Sequence, residues 1–281
     1  MKVQLEKLCS ACVQGKQTKA SFKSRSCFSI ADPLNLLHMD LFGPVPIKSR
    51  FGRRYTLVIV DEFARFTWVI ILRKKSHAAN EIISSIKRNE VLYNYRIRQL
   101  RSDHGTEFRN HTLEEFCEDH GVSQNFSAVR TPQQNGVAEW RNRTLIEAGR
   151  TMIVEAGLPL SFWAEAVNTA CYTQNRSIIV KRHGKTAYEV LKGRTPDVSY
   201  FHIFGCVCYI LYQRDPRTKF EPKADEGIFL GYSSESKAYR VFNSKTQTIE
   251  ESAHVKIDDD SYPSSKIDHP TNILDELTIC P

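Results

Sequence analysis

Three acidic residues lie where the sequence predicts that strands end or a helix begins. Asp40 ends a short apolar run, Asp103 follows a second one, and Glu139 lies near the start of a long helical stretch, with 35 residues between Asp103 and Glu139. Carboxylate oxygens are hard ligands that suit divalent cations such as Mg²⁺. Each acid alone has a simpler explanation: Asp40 as a turn former, Asp103 as an Asx-turn residue before a glycine, Glu139 as part of a solvated helix face. Three together at element ends are harder to explain in that way.

Apolar, β-branched and aromatic runs predict the strands that position these acids. Predicted strands cover residues 36–41, 55–60, 66–72, 97–100 and 122–126, and the second and third form a hairpin across a polar turn. Apolar residues at helical spacing predict helices over residues 76–93, 112–120, 134–156 and 161–174, the first with Ser76 as its N-cap. The resulting order β-β-β-α-β-α-β-α indicates an α/β layer fold with a mixed sheet.

The pattern changes after about residue 175. Short strand candidates at residues 200–212, 227–232, 238–243 and 248–255 are separated by turns, which predicts a small β module. From residue 258 onward the sequence is acidic and contains prolines and several serines, so we expect a disordered tail there.

The charge balance favours a polyanionic partner. The chain of 281 residues has 39 Lys and Arg against 32 Asp and Glu, a net charge of +7. Its basic amino-terminal run has no acid between residues 14 and 25 and could contact phosphates; its cations are Lys16, Lys19, Lys23 and Arg25. On charge alone, a solvated basic surface explains the balance equally well. No apolar run approaches the roughly 20 residues of a membrane span, and the first residues do not form a signal peptide, so we expect an intracellular protein without a membrane partner.

Cysteine usage agrees with an intracellular chain. Among eight cysteines only Cys9 and Cys12 form a C-x-x-C pair, which could be half of a zinc site. We expect the others to be free thiols in the core or in strands, and Cys206 and Cys208 are examples.

Several motifs resemble the integrase of copia-type long-terminal-repeat retrotransposons, and the similarity runs through nearly the whole chain to about residue 258. The most specific motif is TPQQNGVAEWRNRTL at residues 131–145, because it places TPQQNG-x-AE around Glu139. Further motifs are CSAC at 9–12, LHMDLFGP at 37–44, RSD at 101–103, FWAEA at 162–166, FGC at 204–206, GY at 231–232 and SKAYR at 236–240.

The resemblance implies a fold and a chemistry. The fold would be an RNase H-like mixed five-stranded sheet flanked by helices, followed by a small all-β, SH3-like module. Asp40, Asp103 and Glu139 would bind two divalent ions, Mg²⁺ or Mn²⁺, with Asp40 as the bridging ligand, and two such ions can stabilise both oxygens of an in-line displacement. The reactions would be the trimming of element cDNA ends and the transfer of each 3′-hydroxyl onto target DNA.

The resemblance also implies contacts and partners. Nucleic acid would be contacted by Gln133, Gln134 and Asn135 on the loop before the catalytic helix, and by Arg141 and Arg143 on that helix. For both arginines, a charged helix surface is an equally good explanation. The partners would be double-stranded DNA and further copies of the chain. Integration would take place in the nucleus, and the protein would otherwise reside in a cytoplasmic particle.

The chain departs from the family pattern at a few positions. The family has two histidines well upstream of its C-x-x-C, whereas the first histidine here is His38, so Cys9 and Cys12 are expected to be a remnant that does not bind zinc. Within the core, HGTE at residues 104–107 replaces Asn-Gly-Gly-Glu, which puts Thr106 where glycine would have more backbone freedom. Trp140 stands where a basic residue is common.

The predicted domains are a truncated zinc-binding remnant and basic linker (1–30), the catalytic core with its carboxy-terminal helices (31–195), the β module (196–258) and the acidic tail (259–281). Three functions remain open: a metal-dependent strand-transfer enzyme, a catalytically silent or co-opted nucleic-acid-binding relic, and an RNase H-like nuclease unrelated to transposition. The third would leave TPQQNGVAE and the β module unexplained.

Overall fold

A mixed five-stranded sheet with helices on both faces forms the first part of the protein, in a computed structural model that describes residues 30–127, 135–211, 220 and 222–263. The strands of this sheet are β1 (Leu36–Phe42), β2 (Tyr55–Asp61), β3 (Thr67–Leu72), β4 (Gln99–Ser102) and β5 (Ser123–Phe126). The helices are α1 (Ala78–Tyr93), α2 (His111–His120), α3 (Gly136–Ala156), α4 (Trp163–Ser177) and α5 (Ala187–Lys192). Three 3₁₀ turns (Lys75–His77, Leu160–Phe162, Val198–Tyr200) and a two-stranded ribbon, β6 (Ile179–Val180) and β7 (Lys185–Thr186), connect these elements.

The sheet has the strand order β3-β2-β1-β4-β5. Strand β1 is antiparallel to β2 and parallel to β4, so the carboxyl ends of β1 and β4 meet at one edge. His38 of β1 pairs with Arg101 of β4. Two residues further along both parallel strands, Asp40 therefore lies level with Asp103. The topology therefore places the first two predicted catalytic acids side by side.

Alternating side chains of the central strands build two cores, one on each face of the sheet. Leu57 and Ile59 of β2 pack with α1 and α2, whereas Val58 and Val60 pack with α3 and α4. This period-2 alternation is expected for a strand that is covered on both faces. Helix α3, which carries Glu139, is consequently fixed against the same face of β1 and β2 that presents Asp40.

A second sheet, entirely antiparallel, has the order β11-β10-β9-β8-β12. Its strands are β8 (Val207–Leu211), β9 (Ala224–Tyr232), β10 (Tyr239–Asn243), β11 (Thr248–Ser252) and β12 (Val255–Asp258). The predicted fold class, a mixed five-stranded sheet with flanking helices followed by a small all-β module, is confirmed.

The β module packs directly on helix α4. The Thr169 hydroxyl donates to the Leu230 carbonyl oxygen at 2.6 Å, and Arg240 forms two hydrogen bonds, of 2.9 and 3.0 Å, with the Glu165 carboxylate. Gly231 has φ +139°, and a Cβ there would collide with the Thr169 hydroxyl, so glycine permits this close approach. The core and the module thus share an ordered, polar contact.

Several predicted boundaries differ from the structure. Helix α1 begins at Ala78 after a 3₁₀ turn, and no side chain caps it, so the prediction of Ser76 as its N-cap is wrong. The β module continues beyond residue 258, because Asp259 accepts a hydrogen bond from the Ile203 amide and Ser261 accepts one from Val207. The remainder of the predicted acidic tail, residues 264–281, lies outside the described residues, as does the predicted amino-terminal remnant up to residue 29.

Helix α5 was not predicted. It begins with a capping box, in which the Thr186 hydroxyl accepts from the Glu189 amide at 3.1 Å and the Glu189 carboxylate accepts from the Thr186 amide at 2.8 Å. The pattern Thr-x-x-Glu at residues 186–189 is the sequence signature of this cap and could have revealed the helix.

Candidate active site

Asp40 lies on β1 at the edge where the sheet faces α3. Its Oδ2 accepts a hydrogen bond of 2.8 Å from Nδ2 of Asn142 on α3. Burial raises the pKa of the Asp40 carboxyl, the Asn142 hydrogen bond lowers it, and the nearby carboxylates of Asp103 and Glu107 raise it again. Asp40 is therefore a partly desolvated carboxylate surrounded by negative charge, a state that a cation would relieve.

Asp103 follows β4 directly and belongs to a tight turn. Its Oδ1 accepts from the Gly105 amide at 3.0 Å, which is an Asx-turn contact, and the Ser102 hydroxyl donates to its main-chain carbonyl oxygen at 3.0 Å. A Cβ at Gly105 would meet the Glu107 carboxyl, so a larger residue there would displace that side chain. Thr106 lies outside the left-handed region of backbone conformation, so the backbone cost expected for this residue is absent.

Glu139 lies in the first turn of α3. Burial raises the pKa of its carboxyl, the carboxylates of Asp40 and Asp103 raise it further, and the Arg143 guanidinium lowers it. The three predicted acids are thus within electrostatic reach of one another. Within the described part of the chain, however, no group of three or more His, Cys, Asp or Glu side chains is arranged to hold a metal ion.

Two asparagines, one just before α3 and one within it, fix the helix to β1. Asn135 precedes the helix and donates from Nδ2 to the Met39 carbonyl oxygen at 3.1 Å, next to Asp40 in the chain. Asn142 is three residues after Glu139, on the same side of the helix, and holds Asp40 itself. The role of Asn142 was not predicted, although its i+3 spacing from Glu139 was visible in the sequence.

The structure contradicts two of the predicted nucleic-acid contacts. Asn135 is completely buried, and its amide is used by the Met39 contact. Arg141 is 7% exposed, and its guanidinium donates to the Thr67 hydroxyl at 2.8 Å and to Oε1 of Gln174 at 2.9 Å. Both residues point into the protein and link secondary-structure elements, so neither is available to DNA.

The other predicted site residues divide into two groups. Arg143 is exposed beside Glu139, as a contact with DNA requires, and it stays a prediction. Gln133 and Gln134, on the predicted loop, and Cys9 and Cys12, the zinc remnant, lie outside the described residues.

A buried carboxylate, Glu107, adds a further charge near the site. Its Oε2 lies 2.9 Å from Nζ of Lys75, which comes from the turn after β3. This ion pair connects the Asp103 loop to the β2–β3 side of the sheet. The four cysteines among the described residues (Cys117, Cys171, Cys206, Cys208) are buried free thiols.

No helix in the described parts of the chain is long and apolar enough to cross a membrane.

Comparison with known proteins gives two family matches. Residues 31–132 match the integrase core domain, and residues 206–270 match the retroviral polymerase SH3-like domain. The first match includes Asp40 and Asp103, and the second corresponds to the β module. Glu139 lies between the two matched segments.

The chain is also similar to large transposon proteins. It is 35% identical over 237 residues to the retrovirus-related Pol polyprotein from transposon TNT 1-94 of Nicotiana tabacum, which is 84% of this chain and 18% of that protein. It is 32% identical over 257 residues to the Pol polyprotein from transposon RE1 of Arabidopsis thaliana, 92% of this chain and 17% of that protein. The chain thus spans less than a fifth of the length of these relatives.

A solved structure shares the fold. A chain in the cryo-EM structure of the simian T-cell lymphotropic virus intasome in complex with PP2A regulatory subunit B56 gamma aligns with a TM-score of 0.52 at 15% identity, covering 89% of this chain and 87% of that one.

From the family matches and the transposon relatives, the protein therefore carries an integrase core domain followed by a retroviral polymerase SH3-like domain, in a sequence similar over most of its length to the Pol polyproteins of plant copia-type transposons.

Proposed function

We propose that the chain catalyses DNA integration, by trimming the 3′ ends of an element's cDNA and joining them to target DNA. The observation that carries the proposal is the grouping of Asp40, Asp103 and Glu139 within electrostatic reach at one edge of an integrase core. The Asp103 carboxylate raises the pKa of Asp40, and the carboxylates of Asp40 and Asp103 raise the pKa of Glu139. Such perturbed acids are typical of functional sites.

The donor chemistry of this site fits hard divalent cations. Carboxylate oxygens are the ligands that Mg²⁺ and Mn²⁺ prefer, and an incomplete protein cage leaves positions for water and phosphate oxygens. We propose that Asp40, Asp103 and Glu139 hold two such ions, with Asp40 shared. Bound there, the ions would supply Lewis-acid stabilisation to the attacking and leaving oxygens of a phosphoryl transfer.

The protein's own residues would orient the reacting groups. The Asn142 amide fixes one oxygen of Asp40 and would hold this carboxylate in place for a metal ion. The turn at Gly105 fixes Asp103, and Asn135 anchors the start of α3 and with it Glu139. Arg143, exposed near Glu139, would hold a phosphate of the DNA backbone.

The proposal includes the partners that integration requires. Duplex DNA would approach across the edge that bears the carboxylates, and two or more copies of the chain would act on the two cDNA ends together. Integration would take place in the nucleus, and before it the protein would reside in a cytoplasmic particle. Zinc is not part of this proposal.

One observation favours the alternative, a catalytically silent relic that still binds nucleic acid. The three carboxylates influence one another, but no set of three acids, histidines or cysteines in the described residues forms a ready cation cage. The two functions differ in catalysis and agree in DNA binding, so an activity assay separates them.

The test is a nicking and strand-transfer assay on a labelled duplex that carries element-end sequence, with Mg²⁺ or Mn²⁺. The matched variants are Asp103→Asn, at the site, and Asp119→Asn, an exposed acid on α2. Products from the wild type and from Asp119→Asn, but not from Asp103→Asn or with EDTA, would support the proposal. Absence of products from a wild-type protein that binds DNA would overturn it in favour of the relic.

A further inference from the structure

Seven basic residues lie in the chain segments next to the first sheet, at the edge that also bears the proposed catalytic carboxylates. We call this surface the basic edge; it comprises Lys48, Arg50, Arg53, Arg54, Arg73, Lys74 and Lys75. No acidic residue occurs in residues 41–60 or 63–80, the two segments that supply these cations. The charge is therefore concentrated on one surface and is not balanced by acids from the same segments.

Strand pairing brings the two segments together. Tyr55 of β2 pairs with Leu72 of β3, and the Arg54 amide donates to the Leu72 carbonyl oxygen at 2.9 Å. The residues just before Tyr55 and just after Leu72 consequently leave the sheet side by side. Since Phe42 of β1 pairs with Thr56, this is also the end of the sheet where β1 carries Asp40.

The loop between β1 and β2 is held in place by its own arginines. The Arg53 guanidinium donates to the Ile71 carbonyl oxygen at 2.9 Å, Arg54 Nε donates to the Val45 carbonyl oxygen at 3.1 Å, and Arg50 donates to the Gln247 carbonyl oxygen at 3.0 Å. These acceptors are neutral, so the bonds order the loop without cancelling its charge. A preorganised charged surface loses less entropy when it binds.

The remaining cations of the basic edge are exposed. Lys75 is paired with Glu107, whereas Lys48, Arg73 and Lys74 have no carboxylate partner among the residues that the structure describes. Three exposed, uncompensated cations on an ordered surface match the chemistry that binds a row of phosphates.

The distance between the basic edge and Asp40 matches the spacing of phosphates along duplex DNA. Asp40 pairs with Val58 of β2, which pairs with Val69 of β3. Val69 is two strands away from Asp40 and three residues before the end of β3. The distance from Asp40 to the basic edge is therefore roughly 10–15 Å. That length equals about three to four nucleotides of one strand of duplex DNA. A duplex whose scissile phosphate lies at Asp40 would therefore place neighbouring phosphates at the basic edge.

We infer that the basic edge is a phosphate-binding surface that holds duplex DNA beside the catalytic carboxylates, with Lys48, Arg73 and Lys74 as its direct contacts. The inference rests on the proposed function, because it names the surface by which the same site holds its DNA. Its partner is the sugar–phosphate backbone, so binding depends on charge and not on base sequence.

The test is the salt dependence of DNA binding by the full chain, measured by fluorescence anisotropy with a labelled duplex in EDTA. The variant is the triple substitution Lys48→Ala, Arg73→Ala and Lys74→Ala. The matched control is Lys181→Ala, Lys185→Ala and Lys256→Ala, which removes the same charge from exposed positions elsewhere. Lys181 and Lys185 belong to the ribbon that contacts the opposite end of the β2–β3 hairpin, where His183 hydrogen-bonds the Phe63 carbonyl oxygen.

Each lost phosphate contact should reduce the steepness of the plot of log affinity against log salt concentration by about 1. The slope of the basic-edge variant should therefore be shallower than the wild-type slope by about 3. When the salt concentration rises fourfold, the factor by which the affinity falls should then be about 60 times smaller for this variant than for the wild type. The control should keep the wild-type slope. An unchanged slope in the basic-edge variant, or an equal loss in the control, would overturn the inference while wild-type binding still supports the proposed function. A wild type without salt-dependent duplex binding would overturn both.

Discussion

The Asn142 side-chain amide donates to the Asp40 carboxylate across 2.8 Å and thereby joins helix α3 to the central strand β1. The two residues are 102 positions apart in the sequence, and Asn142 is buried. Because Glu139 lies one helical turn before Asn142, this single bond couples the position of one predicted catalytic acid to that of another. Asn142 is thus a positioning residue in the proposed reaction.

Replacement of Asn142 should impair activity without removing a carboxylate. In Asn142→Leu, Asp40 loses the hydrogen bond that lowers its pKa, so the acidic limb of the pH–rate profile should move to higher pH. Activity should fall about 10- to 100-fold, as is usual when a residue that orients a metal ligand is lost. Thr144→Ala, on the same helix with its hydroxyl bonded to the Trp140 carbonyl oxygen, is the control. A loss of activity with an unmoved pH profile would show that Asn142 is only structural.

Asp40→Asn should stabilise the protein at neutral pH. Burial raises the pKa of Asp40 in the folded state, so folding favours the protonated form, and this contribution to stability is lost as the pH rises through the folded-state pKa. Removal of the charge should therefore raise the thermal unfolding midpoint at neutral pH and change it little at a pH below the usual range of a carboxyl. Unfolding scans at both pH values, without divalent ions, provide the measurement. An equal change at both would mean that charge is not the cause.

The sequence was sufficient to predict where the three acids lie, because each one is next to the end of a predicted strand or the start of a predicted helix. Asp40 lies near the end of β1 and Asp103 directly follows β4, and the parallel pairing of these adjacent strands makes the two acids neighbours. The apolar runs and the helical periodicity that define these elements are local properties of the chain. The α/β core and the β module could be predicted for the same reason.

The burial of Arg141 could not be predicted in that way. Helical periodicity shows that Arg141 and Glu139 point in different directions, but it does not show what covers Arg141. Its partners are Thr67 on β3 and Gln174 on α4, which are 74 and 33 residues away. A buried guanidinium satisfied by neutral oxygens depends on how three elements pack, and no local pattern in the sequence specifies that packing.

The Arg240–Glu165 pair should make a measurable contribution to stability. The Glu165 side chain is only 6% exposed, so Arg240→Met leaves a buried carboxylate without its partner and should destabilise the protein by about 3 kcal/mol. The double variant Arg240→Met/Glu165→Met should recover much of this loss, because both charges are then removed. Urea unfolding of the single and double variants measures the effect, with Lys237→Ala as an exposed control. A double variant as unstable as the sum of the two single variants would contradict the pairing.

Trp140 is 61% exposed on α3, directly after Glu139, and offers a test of whether this helix contacts DNA in the proposed function. Since its ring is mostly solvated, Trp140→Lys should change the free energy of unfolding by no more than about 0.5 kcal/mol. The new cation lies on the surface next to Glu139, so it should steepen the salt dependence of duplex binding by about 1.

The matched control is Val154→Lys, 72% exposed on the same helix but more than three turns from Glu139. It adds the same charge at a distance from the carboxylates, so its salt dependence should stay close to that of the wild type. Anisotropy titrations over a salt series, with unfolding curves for both variants, decide the matter. If both lysines steepen the slope equally, DNA responds to the total charge of the helix; if only Trp140→Lys does so, the duplex lies against the first turns of α3, beside the three acids.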